Sequence, residues 1–393
     1  PRHSGSVRRS LVTTANIPSS PRVFAVIAGG GTAGHIVPAL AIAEQLVGGG
    51  RAPRSIAFVA SQRSSDAQLL AGTEHPRLLL NVDGLQRSLR PGAVLRTMLA
   101  VPKMVVATAR ATRQLRRWQP RVVVSVGGFA SEPAVRAAGA LRIPVVVVSY
   151  DRHPGLATRR QARKAAAVAA AFAGSTLPGA VHTGAPVRSD VRQLARDADG
   201  IASERARAAS IFGIDPARRI VVVMGGSLGS RVINDAIERF VQKHSARTDL
   251  AVLHLVGERY MSESSPSPAG AGLQYVRRAR HDVMADVWQI ADVVVCRAGA
   301  STIAELVTVG CAALIIPWAQ AADDHQRLNA HWLGANEAAL VLEETDLELQ
   351  FDRRLLAVID DDAQRERLRA ASRALGELNR SAAIGSLIES VAQ

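Results

Sequence analysis

The stretch Phe24–Leu46, FAVIAGGGTAGHIVPALAIAEQL, holds the first residues that could do chemistry. Three consecutive glycines, Gly29, Gly30 and Gly31, let backbone N–H groups approach an anion closely. A helix starting just after them presents about +0.5 of a charge at its N-terminus. His35 is the one ionisable side chain at this mouth, and histidine titrates near neutrality. The spacing is neither the G-x-G-x-x-G of a dinucleotide site nor a phosphate loop ending in Gly-Lys-Ser/Thr. Two later stretches repeat the theme: Gly225-Gly226-Ser227-Leu228-Gly229-Ser230, and Arg297-Ala298-Gly299-Ala300-Ser301-Thr302 with Glu305 shortly after.

Each of these stretches follows an apolar run and precedes a helical pattern. Phe24–Ala28, Ser55–Ala60, Pro76–Val82, Arg121–Val126 and Ile143–Val148 read as strands of the first half. Arg219–Met224, Leu250–Val256, Leu273–Val276, Asp292–Cys296 and Ala312–Ile316 read as strands of the second. Helical patterns lie between them, including Ala157–Ala170 with a basic face, and the last two helices cover about Asp352–Leu375 and Arg380–Val391. Strands that are continuous Val/Ile/Leu runs alternating with helices predict parallel sheets covered on both faces. The fold class is α/β: two doubly wound, Rossmann-like domains facing a cleft, with a ligand at the carboxyl ends of the strands. The expected division is a disordered leader over 1–21, a first domain over 22–187, a second over 188–375, and a C-terminal helix over 376–393 that packs back on the first domain.

Composition narrows the classes. A chain of 393 residues, 48% hydrophobic and 21% charged, fits two globular domains. With aromatics at 4%, the cores must be built from Val, Leu, Ile and Ala. Cys296 and Cys311 sit in apolar surroundings and give neither a disulfide framework nor a metal cluster. No apolar run reaches the ~18–20 residues that span a bilayer. The net charge of +14 points to phosphorylated substrates, an anionic membrane or nucleic acid. No recognised nucleic-acid motif is present, so that partner is not expected. Leu85–Trp118 carries eight cations and no acidic residue, interleaved with Leu85, Leu89, Leu95, Met98, Leu99 and Met104. Such a mixture can lie on an anionic membrane, or form a helix with one buried and one solvated basic face.

Six motifs in order resemble the MurG family, the lipid-linked N-acetylglucosaminyltransferases of glycosyltransferase family 28. They are GGGTAGHIVPALAIAEQL from Gly29, VSVGGFASEPA from Val124, GAPVRSDV from Gly184, VVVMGGSLGSRVIN from Val221, ADVVVCRAGASTIAEL from Ala291 and DDHQRLNA from Asp323. The resemblance covers about Phe24–Val391. It implies the GT-B architecture, with UDP-N-acetylglucosamine (UDP-GlcNAc) held mainly by the second domain. It also implies inverting transfer of the sugar to the 4-hydroxyl of the muramyl residue of undecaprenyl-pyrophosphoryl-MurNAc-pentapeptide (lipid I). No metal or other cofactor is expected. The implied location is the cytoplasmic face of the bacterial plasma membrane, peripherally, on an anionic inner surface.

An inverting transfer needs a base for the acceptor hydroxyl and stabilisation of the leaving diphosphate. His35 suits the base. Ser227, Gly299, Ala300, Ser301 and Thr302 suit the diphosphate through backbone N–H groups and a helix end. By resemblance, Glu305 accepts the ribose hydroxyls, Arg188 faces phosphate, and Thr32, Ala33 and Gly34 lie near the sugar. His325 and Gln326 stand where the family has a sugar-contacting Gln pair, and His281 where backbone groups read uracil. The chain departs from the family where it usually has His-Glu-x-Asn: here the residues are Val148-Ser149-Tyr150-Asp151, with Asp151 in place of the Asn that contacts sugar or acceptor. That departure keeps two alternatives open: a related GT-B transferase with another donor or lipid acceptor, and a non-catalytic membrane-docked UDP-sugar binder.

Overall fold

A computed structural model describes residues 22–30, 33–62, 64–82, 91–194, 198–226, 228–262 and 272–393. Thirteen strands fall into two sheets among these residues. The first contains β1 (Ala25–Ala28), β2 (Ile56–Ser61), β3 (Arg77–Leu80), β4 (Val122–Ser125), β5 (Val145–Ser149), β6 (Ala167–Ala170) and β7 (Ala180–His182). The second contains β8 (Arg219–Met224), β9 (Leu250–Leu255), β10 (Gln274–Arg278), β11 (Val293–Cys296), β12 (Ala312–Ile315) and β13 (Leu340–Val341). Their orders are β3-β2-β1-β4-β5-β6-β7 and β10-β9-β8-β11-β12-β13. All pairings are parallel; β1 sets Ala25 beside Ile56 on one side and Val122 on the other.

In both sheets the order reverses beside the first strand, between β1 and β4 and between β8 and β11. Chain leaving neighbouring strands in opposite directions opens a crevice at their carboxyl ends. Both glycine turns, after β1 and after β8, lie at such a point. The central strands β1, β4, β8 and β11 are buried almost along their whole length, as strands covered on both faces must be.

Two expected elements are overturned. Ala157–Ala170 is not one helix: the helix covers Leu156–Ala162 and β6 follows at Ala167–Ala170. Alanine favours helix locally, but β5 presents an open edge, and pairing Val146 with Ala167 through Ser149 with Ala170 satisfies both backbones. The stretch expected as one helix from Asp352 to Leu375 is likewise two, Leu347–Ile359 and Asp362–Leu375. The break is set by Asp361, whose carboxylate accepts the N–H of Gln364 at 2.8 Å and caps the second helix.

The helix Ala383–Val391 packs against the helix Ala33–Gly48 and against β4 and β6 of the first sheet. Ile384 and Ile388 are buried there, the N–H of Gly385 donates to Gln45 Oε1, and Arg51 pairs with Glu389. The two chain crossings between the sheets touch: the N–H of Ala185 donates to Asn379 Oδ1 at 2.7 Å. Asn379 Nδ2 in turn donates to the carbonyl of Ala304 and to Thr308 Oγ1.

Candidate active site

His35 lies in the first turn of the Ala33–Gly48 helix, half-buried, at the carboxyl edge of the first sheet. Two turns press together beneath it. Gly128 has φ +73°, and a Cβ there would meet the carbonyl of Gly30 and the His35 imidazole, both at 3.2 Å. The imidazole therefore rests over bare backbone. Tyr150, at the end of β5, meets the His35 ring edge-on with centroids 6.2 Å apart. Its hydroxyl donates to the carbonyl of Gly34 at 2.9 Å. In a regular helix that carbonyl would accept the N–H of residue 38, but residue 38 is Pro38, which has none.

A buried polar network sits behind the second turn. Ser125 Oγ donates to Gln161 Oε1 and accepts the N–H of Gly127. Gln161 Nε2 donates to Ser131 Oγ and to Glu132 Oε2. These bonds fix the loop on which the His35 ring rests.

In the second domain Arg297 organises the mouth, a residue whose role the sequence reading missed. It follows the apolar strand β11 directly and is 9% exposed. One guanidinium nitrogen donates to the carbonyls of Ile316 and Pro317, and another donates to Ser230 Oγ and pairs with Glu344. It thus ties the glycine turn after β8 to the end of β12. The readable signal was a cation directly after a four-residue apolar strand, a position that demands buried partners.

The helix Ala300–Val309 starts at Gly299, and its first turn holds Ala300, Ser301 and Thr302. Ser301 Oγ is buried without a hydrogen-bond partner among the described residues. Glu305 lies one turn further in. Its Oε2 accepts the indole N–H of Trp288 at 2.7 Å. Burial pushes its carboxyl up to about 7; the Trp288 hydrogen bond opposes this, Asp190 adds to it and Arg188 subtracts.

The two mouths meet at Asp151. The neighbouring backbone N–H of Arg152 donates to Asn329 Oδ1 at 3.3 Å, and Asn329 Nδ2 donates to the carbonyl of Ala298. Burial raises the Asp151 carboxyl above its ordinary value, while His325 of the second domain and His35 of the first both act to lower it. Phe172 and Trp332 also meet across the domains, edge to face at 4.7 Å.

The expected site residues divide as follows. Gly34, His35, Asp151, His325, Gly299–Thr302 and Glu305 lie at the facing carboxyl edges. His325 Nδ1 is 2.6 Å from the carbonyl of Ala322, and Gln326 Oε1 accepts the N–H of Trp318. Arg188 pairs with Glu44 at 2.5 Å, on the same helix as His35, while its charge acts on Glu305. His281 has its side chain committed to Asp286 Oδ2 at 3.1 Å and to the Phe212 ring. Thr32 and Ser227 lie outside the described residues, as do Leu85, Leu89 and the side chains of Ala33, Leu95, Met98 and Leu99; Met104 is half-buried. Among the described residues no group of three or more His, Cys, Asp or Glu could hold a metal ion.

Residues 25–170 match the glycosyltransferase family 28 N-terminal domain and residues 220–384 the C-terminal domain. The first match takes in β1 to β6 and the second falls on the second sheet, so the two sheets are those of a two-domain glycosyltransferase. The chain belongs to the MurG family, the UDP-N-acetylglucosamine--N-acetylmuramyl-(pentapeptide) pyrophosphoryl-undecaprenol N-acetylglucosamine transferases. A relative of that name from Xylella fastidiosa is 37% identical over 324 residues, 82% of this chain and 83% of its own. One from Nitrosococcus oceani is 35% identical over 325 residues, 82% of this chain and 85% of its own. In fold, the chain is similar to MurG of Acinetobacter baumannii, with TM-score 0.68 and 24% identity over 94% of this chain and 99% of that one. It also resembles a UDP-GlcNAc 2-epimerase from Neisseria meningitidis, with TM-score 0.62 and 12% identity over 94% of this chain and 98% of that one.

Proposed function

We propose that this chain transfers N-acetylglucosamine from UDP-GlcNAc to the muramyl 4-hydroxyl of lipid I, with inversion at the sugar carbon. The observation that carries the reading is the bond of the Arg152 N–H to Asn329 Oδ1, with Asn329 Nδ2 donating in turn to the carbonyl of Ala298, because it joins the strand end beside the His35 turn to the second domain's helix mouth. His35 takes the acceptor hydroxyl's proton as the oxygen attacks. The diphosphate leaves toward the N–H groups at Gly299–Thr302, where the helix end and the partnerless Ser301 hydroxyl favour an anion. Glu305 accepts from the ribose hydroxyls.

The surface that meets the lipid is the helix Pro91–Trp118. It begins after β3, hence at the cleft end of the sheet. Lys103, Arg110 and Arg113 are exposed on it, and Val105 and Val106 are exposed by 64% and 59%. Apolar side chains beside cations suit an anionic bilayer surface. No helix among the described residues is long and apolar enough to cross a membrane.

The test is transfer of labelled sugar from UDP-GlcNAc to a short-chain lipid I analogue. Transfer that falls ~10²–10⁴-fold in His35→Ala supports the reading. UDP-GlcNAc binding without transfer overturns it, and turnover of UDP-GlcNAc with no lipid present points to an epimerase instead. Salt-sensitive binding to anionic liposomes, but not to neutral ones, tests the surface.

A further inference from the structure

Trp288 is 1% exposed, in the helix Met284–Ile290, and its indole N–H has chosen an unusual partner. A buried indole needs one acceptor, and a backbone carbonyl would serve. Here the acceptor is Oε2 of Glu305, at 2.7 Å, on a different helix. With Oε2 held by the indole, the orientation of the Glu305 carboxylate is set, and Oε1 offers its two lone pairs as acceptors.

We propose that Trp288 is a positioning residue for donor recognition, holding Glu305 by one oxygen so that the other faces the donor's vicinal diol. This rests on the reading of Glu305 given above. The same bond opposes the burial that pushes the Glu305 carboxyl toward about 7. The charged groups acting on Glu305 come from the segment that leads into the second domain: Asp190, and Arg188, which is paired with Glu44. On Trp288's own helix, Asp286 is engaged by Arg207 and His281. Ionised Glu305 accepts two hydroxyls, whereas protonated Glu305 must turn one oxygen into a donor. Donor affinity therefore rises with pH through neutrality, and Trp288 sets where.

The test compares wild type, Trp288→Phe, Glu305→Gln, Glu305→Leu and the Trp288→Phe/Glu305→Leu double variant. UDP-GlcNAc binding is read first by calorimetry, then KM, kcat and the pH profile of kcat/KM for the donor. The expected result for Trp288→Phe is a donor KM raised about tenfold, the loss of one hydrogen bond to a charged group, with kcat within twofold. Its acid limb moves to higher pH, and the limb is absent in Glu305→Gln. Adding Trp288→Phe to Glu305→Leu, which has no oxygen for the indole N–H, costs little more. Where the Phe variant does not fold, benzothienylalanine at position 288 keeps the ring shape and removes only the N–H.

A folded Trp288→Phe variant with unchanged KM and acid limb overturns the proposal while leaving the Glu305 reading intact. The same KM increase in the Glu305→Leu background, where no side-chain oxygen remains for the indole N–H, also overturns it, because the indole then acts by packing alone. Glu305→Gln binding UDP-GlcNAc as tightly as wild type overturns both, as does wild-type protein that does not bind it.

Discussion

The hydroxyl of Tyr150 donates to the carbonyl of Gly34, one residue before His35, and fills the place that Pro38 vacates. A proline in the second turn removes the N–H that would have closed the helix there. The side chain from β5 satisfies the orphaned carbonyl instead and fastens the His35 turn to the strand that carries Asp151. Tyr150→Phe should lower stability by about 1 kcal/mol and slow transfer. In a Pro38→Ala background the helix supplies its own N–H, and Tyr150→Phe should cost clearly less. A double-mutant cycle by urea unfolding measures the difference, and additive costs would show that the two residues are not linked.

Gly128→Ala should separate catalysis from donor binding. At φ +73° an alanine is strained, and its Cβ would meet the His35 ring and the Gly30 carbonyl. Transfer should fall at least tenfold while UDP-GlcNAc affinity, measured by calorimetry, stays within about twofold because the turn belongs to the other domain. Equal losses in both would show that the turn supports the donor too.

Two buried carboxylates predict how stability responds to pH. Glu305 and Asp151 both titrate above their ordinary values, chiefly because burial disfavours the charge. Folding is therefore favoured while they are protonated, and the benefit is lost as pH rises through the folded-state value, about 7 for Glu305. Glu305→Gln and Asp151→Asn should each raise the Tm relative to wild type more at pH 8 than at pH 5. A thermal-shift series in the absence of nucleotide reads this directly, and a gain independent of pH would contradict it.

His254 has the opposite sign. It is fully buried on β9 between Tyr275 Oη at 2.8 Å and Asn234 Oδ1 at 3.0 Å, and burial pulls its imidazole down to about 3. Below pH 6.5 the unfolded chain takes a proton that the folded one refuses. Wild type should lose about 2 kcal/mol from this group alone between pH 7 and pH 5. His254→Gln should flatten that acid limb in denaturant titrations, although it is less stable at pH 7. Asn234 also donates to the carbonyl of Val256, against which Gly229 packs, so the network supports the turn after β8.

The sheets were legible because their strands announce themselves: Val221–Val223 and Val293–Val295 are runs that only a doubly covered parallel strand accommodates. The placement of His35, Glu305 and Gly299–Thr302 where a strand runs into a helix was legible because glycine and helix-start signals flank them. Ala167–Ala170 was not, since alanine carries no strand signal and only the open edge of β5 decides its state. The break at Asp361 was readable in principle from Asp followed three residues later by Gln364. The bonds from Trp288 to Glu305 and from Tyr150 to Gly34 join residues 17 and 116 positions apart and leave no local trace. The paired state of Arg188 was likewise hidden, because Glu44 lies 144 residues earlier.

The helix Ala383–Val391 inserts Ile384 and Ile388 into a core that the first domain shares with residues such as Ile36 and Leu40. During synthesis the ribosome delivers that first domain almost 200 residues before it delivers this helix. Until then the Ala33–Gly48 helix, which bears His35 and Glu44, shows water the apolar face that the last helix will cover. His35 is therefore set on its finished support only once synthesis has reached Val391, and a product interrupted before Ala383 carries the Ala33–Gly48 helix without the packing that covers it.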